Sequence, residues 1–137
     1  MNAPSIDIKD MLEAWGDSSG FTFGFTFTTD LFIGKEPILP KNCVTIFDIL
    51  GFAPELNLTT QGYEYPSIQI RVRNVDYYDG WNICNEIKDS LHGRSHQTWN
   101  GTLYTVIYCS SGPALLDFDE NGNARFIINF NLQRRVA

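Results

Sequence analysis

The sequence lacks the segments that would direct a protein into or across a membrane. The first residues, up to Leu12, contain neither a basic cluster nor an apolar stretch, so no secretory signal peptide is predicted. No apolar run approaches the roughly 20 residues that span a bilayer. We therefore expect a soluble protein that is intracellular when it is synthesised.

Cysteine is scarce and shows no pairing pattern. The three cysteines, Cys43, Cys84 and Cys109, are widely spaced in apolar surroundings, and no Cys-x-x-Cys motif occurs. An odd number of cysteines without a motif argues against a disulfide framework. We predict reduced, buried thiols, as is usual in a cytoplasmic setting.

Charged residues are few, and most of them are acidic. They form 19% of the chain, whereas average soluble domains have roughly 25%. Ten basic and 16 acidic side chains give a formal net charge of −6 at pH 7. Binding to phosphates needs clustered Lys and Arg, so nucleic-acid binding is disfavoured as the main function. The low charge instead hints that part of the surface is hidden in an oligomer.

Apolar and aromatic side chains are abundant. Hydrophobic residues make up 43% and aromatic residues 14% of the 137 residues. This composition excludes a disordered chain, and the length is that of one domain. We predict a single domain, residues 1–137, whose core needs neither a disulfide nor a metal.

Hydrophobic periodicity and turn residues predict an α+β fold, with a mainly antiparallel β-sheet and two helices packed on it. The strictest strand pattern is the alternation of Phe with Thr or Gly at residues 21–28, and we expect its Phe face to be core. We expect residues 43–50 to form a central strand that is buried on both faces. In chain order the predicted elements are a helix capped by Ser5 and stopped by Gly16, strands at 21–28, 31–34 (or a turn), 43–50 and 67–74, a helix capped by Asp76 and ended by His92-Gly93, and strands at 101–110, 115–118 and 124–132 around an Asn121-Gly122 turn.

The strand predicted at residues 67–74 alternates apolar and polar side chains. Gln69, Arg71 and Arg73 share one face, which we expect to be exposed. Two guanidinium groups on such a face can form bidentate pairs with carboxylates of another subunit. Pairing within the chain, with Asp48 or Glu86, is an equally open alternative.

No constellation for catalysis or metal binding is complete. Residues 117–123 begin like a calcium loop, but Ile128 stands at position twelve, where a bidentate Glu is required. His92 and His96 have Cys84 upstream but no fourth zinc ligand at a suitable spacing. Neither a phosphate-binding loop nor a nucleophile–base pair is present. We predict no enzymatic activity, no catalytic residue, no metal and no cofactor.

Two motifs, taken in order, point to a family. A Pro-x-x-Gln-x-x-x-Arg strand, from Pro66 to Arg73, precedes a helix that begins with Asp76-Tyr77, and the chain closes with an Asp-x-Asn-Gly-x-x-Arg-Phe hairpin, from Asp119 to Phe126. In this order, and over nearly the whole chain, the sequence resembles the small minor capsid or tail terminator proteins of long-tailed bacteriophages.

The resemblance implies a structural virion protein of the tail or neck, assembled in the host cytoplasm. It implies a homo-oligomeric ring, commonly a hexamer, that caps the tail tube, stops its polymerisation and joins it to the head-tail connector or head completion protein. DNA would pass through the channel without specific binding. Two alternatives stay open: another neck protein that joins head and tail, and a small hydrolase or ligand-binding domain.

The resemblance also suggests which residues touch other molecules. Subunit-interface candidates are Gln69, Arg71 and Arg73. The loops at residues 34–42 and 51–65 are candidates for contact with the tube or the head, and we expect the longer one to be ordered by a neighbour. The partner-contact candidates in these loops are Lys35, Glu36, Lys41, Glu55, Gln61 and Tyr63.

Overall fold

The computed structural model describes residues 1–19, 24–56 and 62–137. The predicted contact residue Gln61 and the start of the Phe-rich segment, residues 21–23, lie outside the described residues. The elements in chain order are α1 (Pro4–Ser19), β1 (Leu31–Ile33), β2 (Cys43–Phe52), β3 (Tyr65–Asn74), α2 (Tyr77–Leu91), β4 (Arg94–Trp99), β5 (Thr102–Phe118) and β6 (Ala124–Val136).

The six strands form one sheet in the order β1-β2-β3-β6-β5-β4. β1 pairs with β2 in parallel, and every other pair is antiparallel. Both helices contribute to one hydrophobic cluster on one face of the sheet, and we call the other face the open face. The predicted α+β fold, a mainly antiparallel sheet covered by two helices, is confirmed.

The core follows from strand alternation. In β6 the even-numbered residues from Ala124 to Arg134 are buried beneath the helices, and the odd-numbered residues between them are only partly buried. The helices complete this layer with apolar stripes, Ile8, Met11 and Leu12 in α1 and Ile83, Cys84, Ile87 and Leu91 in α2.

Elements with a strong local signal occur where the sequence predicts them. Asp76 caps α2 by accepting a hydrogen bond from the Asp79 backbone N–H at 3.0 Å, and the helix ends at His92. β3 contains the whole predicted strand, and β5 and β6 join through the turn that holds Gly122. None of the helices in the described residues is long and apolar enough to cross a membrane.

The first helix differs from its prediction at both ends. α1 begins at Pro4, so Ser5 is not its cap; the Ser5 backbone N–H and hydroxyl instead donate to the Asp48 carboxylate at 3.0 and 2.7 Å. The helix also continues through Gly16. A Cβ at Gly16 would lie 2.5 Å from the carbonyl oxygen of Gly24, so glycine there permits close packing and does not end the helix.

The strand predicted at residues 21–28 is wrong in its described part. Phe27 makes only a single bridge to Leu31, and Phe25 and Thr28 have positive φ angles of 47° and 68°. Left-handed residues interrupt the pleat that a strand needs. Phe25 is nevertheless fully buried, as the core prediction requires, whereas Phe27 is partly exposed.

The sheet differs from the prediction in two other places. β2 is second from the edge, and only Cys43–Ile46 are buried while the residues after Ile46 are half-buried or exposed, so the prediction of a central, fully buried strand is wrong. The edge strand β4 was not predicted, because its polar sequence lacks an apolar alternation. The predicted strands at 101–110 and 115–118 are one strand, β5, with several register shifts.

The three thiols are free, and two of them are buried. Cys43 and Cys84 are enclosed, as predicted, and burial raises the pKa of the first to about 11 and of the second to about 12. Cys109 is half-buried. The buried thiols therefore stay protonated and unreactive at neutral pH.

Gly80 permits the close contact between α2 and β6, and its replacement by Ala is a sensitive test of the core. Alanine normally stabilises a helix by about 1 kcal/mol relative to glycine. Here its Cβ would lie 2.7 Å from Cε2 of the buried Phe126 ring, and such overpacking costs about 1–3 kcal/mol. We expect Gly80→Ala to lower the free energy of unfolding in urea.

Asn82→Ala is the matched control, since Asn82 is exposed on the same helix. We expect the control to change the unfolding free energy by no more than about 0.5 kcal/mol. An increase in stability for Gly80→Ala would show that the Phe126 ring is free to move away.

Candidate interaction surfaces

The strand register places the two predicted contact loops at opposite ends of the sheet. Cys43, at the start of β2, pairs with Arg73 near the end of β3, and Phe52 pairs with Tyr65 at the other end. Residues 34–42 therefore lie beside the β5–β6 turn, and we call this the hairpin end. Residues 53–56 and 62–64 lie at the other end, near the chain's first residues, and we call it the N-terminal end.

One buried arginine organises the loop at the hairpin end. Arg73 is only 8% exposed, so the prediction that it lies on an exposed surface is wrong. Its guanidinium donates to the carbonyl oxygens of Lys41, Pro37, Ile38 and Pro40 at 3.0, 2.6, 3.2 and 2.8 Å. Its remaining nitrogen, Nη1, donates to Glu36 at 3.0 Å, so every nitrogen of the group bonds to the loop at residues 34–42.

Glu36 extends this network to the hairpin. Its second carboxylate oxygen accepts from Arg125 at 3.2 Å, and Arg125 forms a bidentate pair with Asp117 at 2.6 Å for each bond. The Arg125 guanidinium lowers the pKa of Asp117, and hydrogen bonding to Asp117 raises the pKa of Arg125. Asp119 Oδ2 lies 4.0 Å from Arg73 Nε. The loop and the hairpin are held as one unit.

The network presents apolar side chains at the hairpin end. Ile38 is 89% exposed, and Leu39, Val75, Tyr78 and Phe118 are also mostly exposed. Ile38 and Phe118 border an open groove whose floor includes Arg73 and Arg125. Exposed apolar groups fixed by charged hydrogen bonds are typical of an interaction surface.

A second buried arginine performs the same role at the N-terminal end. Arg134 is 7% exposed; it contacts Glu64 at 3.1 Å and donates to the Asn2 carbonyl at 2.9 Å. The backbones of Glu64 and Arg134 also exchange two hydrogen bonds, of 2.8 and 3.0 Å. The Tyr104 hydroxyl, 3.4 Å from Arg134, donates to the buried Asp7 of α1, so this arginine connects the loop to the core.

Exposed apolar residues occur at this end as well. Leu50 is 97% exposed, and Phe52 and Leu56 are also mostly exposed. Gly51 lies at the β2 register shift, where a Cβ would come within 2.2 Å of the Tyr65 carbonyl oxygen. Glycine is therefore required for the close approach of β2 and β3 beneath these side chains.

The other predicted interface residues lie on the open face. Gln69 and Arg71 are half-buried, Arg71 Nε donates to Gln69 Oε1 at 2.9 Å, and the Arg71 guanidinium lies 5.0 Å from the centre of the Phe47 ring. In the described residues, neither Arg71 nor Arg73 pairs with Asp48 or Glu86. Their role in a subunit interface stays a prediction.

The predicted loop residues have different environments. Lys35 and Lys41 are exposed, whereas Glu36 is mostly buried against the two arginines. Glu55 is exposed and accepts from the Tyr63 N–H at 3.1 Å, and the Arg135 guanidinium lies 6.0 Å from the Tyr63 ring centre. Their contact with partners is likewise still a prediction.

The structural role of Arg134 was missed, although the sequence contained a signal for it. Arg134 has the same even-numbered phase as the buried residues Phe126 to Leu132, so alternation alone places it on the helix-covered face. The loop-binding role of Glu36 had no local signal. It depends on Arg73, which lies 37 residues away along the chain.

The described residues contain no group of three or more His, Cys, Asp and Glu side chains that could hold a metal ion. His92 Nδ1 accepts from the Cys109 backbone N–H at 2.9 Å. The Asp119 carboxylate accepts from the Asn121 and Asn123 N–H groups at 2.9 and 2.8 Å, which stabilises the hairpin turn. These side chains therefore have structural partners.

Comparisons with known proteins give one family and one fold. The model of a family described as "Bacteriophage tail terminator protein" matches residues 18–136. No curated protein matches the chain. A chain of the solved structure "Virion of native gene transfer agent (GTA) particle" aligns with a TM-score of 0.64, at 10% identity, over 97% of this chain and 95% of that chain. At this identity the likeness shows a shared fold.

Arg73 and Arg71 provide a matched pair for testing the loop network. Arg73→Ala would leave Glu36 and four loop carbonyls without their donor, and breaking a buried pair in this way typically costs about 3–5 kcal/mol. Arg71→Ala removes a half-exposed group and should cost about 1 kcal/mol or less. Unfolding in urea measures both values.

Protease digestion distinguishes loss of the loop from loss of the whole fold. In Arg73→Ala we expect the first cuts in residues 34–42, and Arg73→Lys should restore little because one ammonium group cannot reach all these acceptors. Equal stability of the Ala variants at positions 71 and 73 would contradict the proposed role of Arg73.

Proposed function

Because the chain belongs to the bacteriophage tail terminator family, we propose that it forms a ring that caps the finished tail tube, stops its polymerisation and offers the surface to which the head is joined. The coarser statement, a structural protein of a phage tail or neck, follows from the family itself. The ring has six subunits in this proposal, as the sequence resemblance implies.

The observation that best supports the proposal is the position of the two loops. A terminator must contact the tube on one side and the neck on the other. Here each end of one sheet presents exposed apolar residues, Ile38 and Leu39 at the hairpin end and Leu50 and Phe52 at the N-terminal end. Each of these ends has a loop that a buried arginine holds.

The proposed partners are the tail tube protein, the head-tail connector or head completion protein, and further copies of this chain. The protein has no enzymatic role in this proposal, and it is assembled in the host cytoplasm before it becomes part of the virion. The net charge of −6 favours a channel that repels DNA phosphates and lets the duplex pass without specific binding.

Deletion of the gene tests the proposed function directly. Without a terminator, tube polymerisation has no stop, and we expect overlong tails or polytubes in electron micrographs of lysates. Tails of normal length that lack heads would indicate a head-joining protein and contradict termination. Supplying the wild-type gene in trans should restore the normal length.

Substitutions at the two ends should separate the two contacts. One double variant combines Ile38→Asp and Leu39→Asp at the hairpin end. The other combines Leu50→Asp and Phe52→Asp at the N-terminal end. All four residues are mostly exposed, so both proteins should fold, with melting temperatures within a few degrees of wild type.

If one end contacts the tube and the other the neck, one double variant gives overlong tails and the other gives tails of normal length without heads. Each variant serves as the control for the other in the same complementation assay. Normal, infectious particles from both variants would contradict a role for these ends.

A further inference from the structure

The two helices account for most of the net negative charge of the chain. α1 and α2 together contain seven acidic and two basic side chains, while the whole chain has a net charge of −6. Asp17, Asp79 and Asp89 are exposed on these helices. None of the three forms an ion pair within the described residues. We call the helix-covered side of the molecule the acidic helix face.

The open face of the sheet has a net positive character, since its carboxylate Asp117 is paired with Arg125. It carries Arg71 in β3 and Arg135 in β6, and no carboxylate in the described residues lies within 4.0 Å of either group. Arg71 uses Nε for its bond to Gln69, and its two terminal nitrogens donate to no described residue. A guanidinium with two free nitrogens is suited to bidentate pairing with a carboxylate.

Apolar side chains surround these arginines. Phe47 and Ile127 are half-buried on the open face, and Ile49 and Tyr108 are more exposed. Their cross-strand partners place all four on this face, for example Phe47 opposite Gln69 and Tyr108 opposite Asn131. Aromatic residues and arginine around an apolar centre are the composition that protein interfaces favour.

We propose that the open face of one subunit binds the acidic helix face of the next copy of this chain. Charge decides between the possible pairings of copies: two open faces would oppose arginines, two helix faces would oppose carboxylates, and only the mixed pairing joins opposite charges. Such a contact is heterologous, and it gives a closed ring when its rotation closes.

This inference rests on the proposed function, since it names the contact that builds the terminator ring. It also assigns separate surfaces to separate partners. The open face and the acidic helix face bind the neighbouring subunits, and the two sheet ends stay available for the tube and the neck.

Charge reversal tests the contact. One variant combines Arg71→Glu with Arg135→Glu, a second combines Asp79→Lys with Asp89→Lys, and a third contains all four substitutions. At about 10 mM salt, where screening is weak, we expect each double variant to self-associate at least about tenfold more weakly than wild type. The fourfold variant restores opposite charges across the contact and should associate like wild type.

A mixture of the two double variants gives a second rescue. Each contact in an alternating assembly then joins opposite charges, so a 1:1 mixture should form the oligomers that neither variant forms alone. Sedimentation velocity at several concentrations measures these assemblies, and circular dichroism confirms that each variant is folded. Asn2→Lys, together with Asn121→Lys, is the control for adding charge at exposed positions outside the two faces.

Two outcomes would overturn the inference. One is a wild-type chain that stays monomeric at about 1 mM in low salt. The other is that self-association is not restored in the fourfold variant or in the mixture. This includes the case in which the charge reversal on the open face weakens binding to purified tail tubes and leaves self-association unchanged. Tail length after gene deletion is a separate measurement, so failure of this contact does not imply failure of the terminator function.

Discussion

The hydrogen bonds of Arg73 are the constraint on which the hairpin end depends. A guanidinium that is taken out of water must use its donors within the protein, and Arg73 does so by bonding to Glu36 and to carbonyl oxygens of the loop at residues 34–42. Glu36 in turn contacts Arg125, which holds Asp117 of the hairpin. One buried cation thereby fixes a proline-containing loop, the last residues of β3 and the β5–β6 hairpin in a single arrangement.

The N-terminal end uses the same physical solution with Arg134, Glu64 and the Asn2 carbonyl. A loop that is already held by its own chain loses less conformational entropy when it binds a partner. This suits the proposed contacts with a finished tube and a neck. The loop at residues 34–42 is ordered within the chain, with its apolar residues outward, and the broad faces differ in charge. Ends and faces are thus chemically distinct surfaces.

Much of the fold could be predicted because its signals are local. Asp76 caps α2 by accepting a hydrogen bond from Asp79, three residues later, and Gly122 lies in the turn of the last hairpin. The failures have non-local causes. Residues 24–28 alternate like a strand, yet positive φ angles at Phe25 and Thr28 break the pleat. β4 is polar because it lies at the edge of the sheet, where alternation is weak, and β2 is buried only over its first four residues.

The sequence by itself determined that Arg71 and Arg73 share one face of a strand, because side chains two positions apart in a strand always do. It also determined the family, through the order of its motifs along the chain. Only the tertiary structure decided that Arg73 is buried and Arg71 is not. The loop that covers Arg73 begins 39 positions earlier, at Gly34, and is placed there by the pairing of β2 with β1 and β3. Burial depends on what chain folding brings alongside a residue, and no local pattern contains that information.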